Sequence, residues 1–217
     1  VHGMSGKADF YYYGCNGEVD VGWGCTYRVL QCIISNIKYQ NTAISVPSLV
    51  DIQREITQLK LFSKSIVGTR MWLEPRHTRK YLSSKLGRYV QTQDYNFSGK
   101  NKGHRKWFED SMFRHFGAKF KGKKIFLRPP PIMIDNHVQT KAIAGIGRCP
   151  LSSEVLILVM DPHVWSKSID PEKFSFIPIK SPEQRQLQTY TDGRKWVRWQ
   201  SLSEFLNKIS ASKQWMC

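Results

Sequence analysis

The chain has no apolar run approaching the roughly 20 residues that a bilayer-spanning helix needs, and its first residues show no hydrophobic core of a secretory signal. Neither a membrane partner nor a leader is expected, and a soluble protein of the cytoplasm or nucleus is. Cysteine is scarce too: five residues, at 15, 25, 32, 149 and 217, form an odd set without a C-x-x-C pair. That spacing supports neither a disulfide framework nor a zinc site, so no metal or other cofactor is expected. A reducing compartment, where a reactive thiol survives, fits this usage. Acidic residues are also few, 17 against 33 Lys and Arg, which leaves a formal charge of +16. Such an excess makes nucleic acid a candidate partner. The basic residues are nevertheless spread over 76–88, 100–114, 119–128 and 185–198, without a zinc-finger pattern or an aromatic single-strand-binding motif. A solvated basic surface explains them as well.

What is present suffices for a core. With 217 residues and 41% hydrophobic side chains, the chain is long enough and apolar enough for one α/β or α+β domain. No internal repeat or low-complexity segment divides it, so 1–217 reads as a single domain and a monomer is expected. The period changes along the chain. Helical spacing covers the segment after Cys25, the segment after Ser48, residues 70–86 and the aromatic face Trp107, Phe108, Met112, Phe113 and Phe116. Strand patterns occupy 142–148 and 155–160, joined by the turn Cys149-Pro-Leu-Ser-Ser, and also 125–127, 174–179 and 196–199. Phe10 to Tyr13 reads as a short strand, Gly99 to His104 as a polar loop, and Ser201 with Glu204 as the capping box of a last helix.

Two short stretches carry chemistry. Asp20-Val-Gly-Trp-Gly-Cys25 sets a cysteine after a glycine-hinged bend, and Val29, Leu30, Ile33, Ile34 and Ile37 continue from it with one apolar helical face. A sulfur in the first turn meets unpaired N–H groups and the positive end of the helix dipole, both of which favour thiolate. Alone, such a cysteine reads as a small buried residue capping a core helix. The second stretch, Asp161-Pro-His163, follows the buried strand pattern at 155–160. Pro162 ends ladder pairing, and Asp161 and His163, two residues apart, share one side of an extended backbone. An imidazole beside a carboxylate is the base that a nucleophilic cysteine requires.

Together these stretches resemble the papain-like cysteine proteases that cleave ubiquitin-like modifiers, in particular the ubiquitin-fold-modifier-specific proteases (UfSP) and the related zinc-finger ubiquitin protease ZUFSP. The resemblance extends through Tyr13, Gln31, Val46-Pro-Ser48, Gly68-Thr-Arg70, Trp72, Pro130-Pro-Ile132 and Ala144-Gly-Ile146. It implies an α+β fold in which a helical half carrying the nucleophile packs on a mainly antiparallel sheet carrying acid and base. It also implies Cys25 as nucleophile, His163 as base, Asp161 as acid and Tyr13 in the oxyanion hole. Residues 94–116 and 128–132 look more like ZUFSP, so the leading expectation is a deubiquitinase acting on ubiquitin or polyubiquitin, with the ubiquitin-fold modifier as the alternative substrate. A catalytically weak ubiquitin-binding module is a further alternative. His137 lies near the position from which ZUFSP takes its histidine and is the runner-up base. Trp23 is a candidate wall of the substrate groove, with Asn136 and His137 on the opposite rim.

Overall fold

The structure, a computed structural model, describes residues 1–4, 6–87, 95–97, 101–117, 129–163, 197–209 and 214–216. Its helices are α1 (Cys25–Lys38), α2 (Leu49–Gln58), α3 (Pro75–Leu86), α4 (Lys102–Gly117) and α5 (Leu202–Ile209). Its strands are β1 (His2–Gly3), β2 (Tyr95–Phe97), β3 (Ile132–Asp135), β4 (Thr140–Arg148), β5 (Val155–Met160), β6 (Val197–Ser201) and β7 (Gln214–Met216). The strands form one antiparallel sheet in the order β2-β7-β3-β4-β5-β6, with β1 paired to the far end of β4. Helical and sheet halves thus follow one another along the chain, an α+β arrangement.

Local chemistry accounts for the helix ends. Ser48 caps α2 by accepting from the Asp51 N–H at 3.1 Å. The third helix begins at Pro75 rather than at 70, because a proline at the first helical position loses nothing by lacking its N–H. Ser201 accepts from the Glu204 N–H at 3.3 Å and starts α5. The expected polar loop at 99–104 is shorter than its composition implies. Lys102, Gly103 and His104 already belong to α4, whose Phe108, Met112 and Phe116 are buried as their spacing requires. Phe10 to Tyr13 form no strand; they run irregularly but buried, and Tyr13 makes a single bridge to the sheet half, its N–H donating to the Pro162 carbonyl at 3.1 Å. The strands expected at 125–127 and 174–179 lie outside the described residues.

Strand β4 is the centre of the sheet, bordered by β3, β5 and β1. A register shift between Ile143 and Gly145 bends it. Gly145 also admits β1: a Cβ there would sit 2.9 Å from the His2 carbonyl oxygen. The apolar face of α1 packs against β4 and β3, with Leu30, Ile34 and Ile37 fully buried.

A buried ion pair, Arg28 with Asp20, lies within this core. Arg28, on the second turn of α1, is completely buried and uses its whole guanidinium. Nε donates to Asp20 Oδ2 at 2.7 Å, one terminal nitrogen to Gln31 Oε1 at 3.1 Å, and the other to the Cys15 carbonyl at 3.1 Å while pairing with Glu18 at 3.1 Å. Removing one partner of a buried ion pair leaves the other charge uncompensated, at a cost of about 3–5 kcal/mol. Arg28→Ala is expected to destabilise the protein by roughly that amount, read from the shift of the urea unfolding midpoint. A loss under about 1 kcal/mol would mean that water replaces the guanidinium at no penalty.

Candidate functional site

The site assembles where the start of α1 meets the end of β5. Gly22, at φ 86°, turns the chain before the helix, and the Asp20 carbonyl accepts from the N–H groups of Trp23 at 3.2 Å and Gly24 at 2.8 Å. Gly24 is required for packing: a Cβ there would fall 2.3 Å from Asp20 Oδ2, the oxygen that Arg28 holds. The helix therefore starts at Cys25, whose sulfur lies in the first turn beside N–H groups lacking intrahelical acceptors. Asp20 also fixes the other side of the bend, since its Oδ1 accepts from the Gly14 N–H at 2.8 Å. Gly14 follows Tyr13 with φ 78°, which suits a glycine. One buried carboxylate thereby sets both Tyr13 and Cys25.

The strand end supplies the remaining groups. After Met160, the last residue of β5, Asp161 and His163 face one another across Pro162, with His163 Nδ1 2.7 Å from Asp161 Oδ1. The same oxygen accepts the His163 backbone N–H at 3.2 Å, and Oδ2 pairs with Lys141 Nζ at 2.7 Å. With Nδ1 engaged by the carboxylate, the second ring nitrogen is left for the Cys25 sulfur, to which His163 is hydrogen-bonded. The Tyr13 hydroxyl is hydrogen-bonded to the same sulfur, and its ring meets the imidazole edge to face with centroids 5.4 Å apart. Cys25, Tyr13, His163 and Asp161, read separately from the sequence, thus converge on one point.

The electrostatics follow from these contacts. Burial pulls the His163 imidazole down, but its hydrogen bonds to Asp161 and Cys25, with the charges behind them, push it up to about 9. Burial would raise the Asp161 carboxyl, yet the hydrogen bond to His163 and the charge of Lys141 hold it well below the usual carboxylate range. Tyr13 is raised, chiefly by burial and then by the charge and hydrogen bond of Cys25. It stays a phenol, and so a hydrogen-bond donor, across the neutral range. Such a set puts a carboxylate-held imidazole and a neutral O–H donor around one thiol, the groups that nucleophilic cysteine chemistry requires.

His137 is placed differently. It sits exposed in the β3–β4 turn with φ 66°, and its backbone N–H donates to Asp135 Oδ1 at 2.8 Å. The turn is pinned by Asn136, whose Oδ1 accepts from the N–H groups of Val138 at 3.1 Å and Gln139 at 2.7 Å. The histidine on the sulfur is His163. Trp23 is half-buried and packs edge-on against Tyr27, with centroids 5.5 Å apart. Sequence reasoning assigned no role to Lys141, on the second residue of β4, and only the pairing of β4 with β5 could have brought it to Asp161. Among the described residues, no group of three or more His, Cys, Asp or Glu side chains is placed to hold a metal ion.

The sequence model of peptidase family C78 matches residues 1–208. Ufm1-specific protease 1 of Mus musculus is 29% identical over 168 residues, spanning 75% of this chain and 68% of its own length. The probable Ufm1-specific protease 1 of Drosophila melanogaster is 26% identical over 204 residues, covering 92% of this chain and 73% of its own. In the probable Ufm1-specific protease of Oryza sativa subsp. japonica, 27% identical over 190 residues, the match is only 28% of the relative's length. A crystal structure of UfSP from C. elegans superimposes with a TM-score of 0.66 over 99% of this chain and 33% of that one, at 22% identity. The fold is thus the papain-like one, with the helical half packed on an antiparallel sheet. By the extent of the family match, the chain belongs to peptidase family C78 and is a cysteine protease.

Proposed function

We propose that this protein hydrolyses the bond after the C-terminal glycine of the ubiquitin-fold modifier, with Cys25 as nucleophile, His163 as base and acid, Asp161 as its orienting carboxylate and Tyr13 as oxyanion donor. The observation that carries these roles is the meeting of Tyr13 with the His163 imidazole, ring centroids 5.4 Å apart, and of that imidazole with Asp161 at 2.7 Å, both groups acting electrostatically with Cys25 at the start of α1. The choice of modifier rests on the relatives, which are named as Ufm1-specific proteases. They favour the ubiquitin-fold modifier over ubiquitin, which the likeness of 94–116 and 128–132 to ZUFSP put first. Most of those residues, 95–97, 101–116 and 129–132, are among the described ones. No observation favours nucleic acid as a partner over a solvated basic surface.

The chemistry runs as follows. His163 takes the Cys25 proton, and the thiolate attacks the carbonyl carbon of the terminal glycine. The developing oxyanion is met by the Tyr13 hydroxyl and the Cys25 backbone N–H, and losing one such donor costs about a hundredfold to a thousandfold in rate. His163 returns the proton to the departing amine, leaving a thioester on Cys25. Water, deprotonated by His163, attacks that thioester; the modifier leaves as a carboxylate and the thiol is restored. Cys25 has no exposed surface of its own. A nucleophile so closely covered suits a substrate whose reacting residue has no side chain.

Incubation with the ubiquitin-fold modifier and with ubiquitin, each carrying a C-terminal thiol-reactive warhead, tests the assignment by intact mass. An adduct with the ubiquitin-fold modifier is expected, absent in Cys25→Ala. Reaction with ubiquitin alone would overturn the substrate, and reaction with neither would overturn action on both modifiers. His163→Ala is expected to abolish turnover while His137→Ala retains it; the reverse pattern would reassign the base. Asp161→Asn is expected to lower kcat by freeing the imidazole to turn.

The shift of His163 also sets a pH dependence of stability. Its value in the folded protein, about 9, lies above the ordinary 6.5, so its stabilising contribution is complete below pH 6.5 and disappears as pH rises through about 9. The stability difference between wild type and His163→Gln should shrink across that window, measured as urea midpoints at a series of pH values. A difference that grew with pH would mean that His163 is held neutral.

A further inference from the structure

We infer that Lys141 is a positioning residue for the proteolytic reaction, which fixes the Asp161 carboxylate so that one of its oxygens faces His163. The two carboxylate oxygens have separate duties. Oδ1 takes the His163 ring nitrogen at 2.7 Å and the His163 backbone N–H at 3.2 Å, while Oδ2 takes Lys141 Nζ at 2.7 Å. Asp161 stands past the end of β5, where ladder pairing has stopped at Met160, so no strand hydrogen bond fixes its side chain. Lys141 comes from the neighbouring strand, next to Ala142, the ladder partner of Met160. Its ammonium therefore ties the segment bearing the acid and base back to the sheet.

The pair is suited to this task by its depth. The two side chains retain 19% and 22% of their exposure, too little for the ammonium to be replaced freely by water and enough to spare the pair the full cost of burial. Without Lys141 the carboxylate can rotate about its Cβ–Cγ bond, and the imidazole loses a fixed acceptor. The titratable groups facing this cluster are Lys141 from β4, Cys25 from α1 and Tyr13 from the loop before it, besides Asp161 and His163 themselves. Lys141 meets the oxygen away from the ring, so it acts on the imidazole through the carboxylate. A looser carboxylate stabilises the imidazolium less, so His163 accepts the Cys25 proton less readily.

The inference rests on the proposed roles of Cys25, Asp161 and His163, and its test separates the two. Cys25 carboxamidomethylation by iodoacetamide, followed by peptide mass across a pH series in the full chain, needs no modifier substrate. The acid limb of this profile is expected to move to higher pH in Lys141→Met, which keeps the aliphatic stem, and to return in Lys141→Arg. Turnover of a ubiquitin-fold-modifier amide should show kcat reduced about tenfold or more in Lys141→Met with KM nearly unchanged, the signature of misplaced groups and not of weaker binding. In an Asp161→Asn background, Lys141→Met should cost nothing further. An unmoved acid limb, or losses that multiply in the double variant, would overturn the assignment. A limb displaced to lower pH would do so as well, since Lys141 would then act only as a charge repelling the imidazolium. If alkylation of Cys25 is unchanged in His163→Ala, the proposed cysteine–histidine pair falls and the role of Lys141 falls with it.

Discussion

The buried pair of Arg28 and Asp20 is the constraint on which the geometry around Cys25 depends. Placing two charges in a core is unfavourable unless their remaining protons and lone pairs are also satisfied. Here they are: the guanidinium reaches Gln31 and the Cys15 carbonyl, and the carboxylate accepts from Gly14. Gln31 in turn donates to the Pro47 carbonyl at 2.9 Å, which extends the network to the chain entering α2. The contacts to Gly14, Cys15 and Asp20 tie down the segment between Tyr13 and Cys25 at separate points. That segment has little regular structure, so backbone ladders cannot position it. A charge network does so instead, one helical turn below the sulfur.

The two halves of the fold meet through a small number of directed contacts. The Thr26 hydroxyl, next to Cys25, is 2.8 Å from that of Thr140 at the start of β4, and Thr140 donates to the buried Asp135. The Tyr13 N–H reaches the Pro162 carbonyl, linking the loop before the helix to the residue between Asp161 and His163. Apolar packing of α1 on β3 and β4 brings the halves together, but such packing is non-directional. Hydrogen bonds of defined length fix the rotation and offset that put an imidazole on a thiol. Their positions beside Cys25 and beside the base match that task.

Much of this was legible in the sequence, and the exceptions have physical causes. The period of α1, the Ser48 cap and the 155–160 strand are local patterns, and local patterns fixed those elements. The pair Asp161 and His163 was readable because Pro162 marks the strand end and two-residue spacing sets the side. Phe10 to Tyr13 was misread as a strand because an aromatic run has the same composition whether it is paired in a ladder or buried as irregular chain. The strand at 132–135 went unread because its four residues are followed at once by the Asn136 turn, too short a run for a period. Lys141 lay beyond reach for a different reason. Its partner is twenty residues away, and only the register of β4 on β5 joins them.

The charges around the sulfur fit together only as a set. His163, raised to about 9, has the Asp161 carboxylate beside it to hold its proton at neutral pH. Tyr13 completes the argument from the opposite direction. Burial first, and then the charge and hydrogen bond of Cys25, raise the phenol and keep its proton in place. When attack moves the negative charge from sulfur to the substrate oxygen, that proton is available to follow it. The buried setting that Tyr13 shares with Cys25 thereby keeps the proposed oxyanion donor in its donating form.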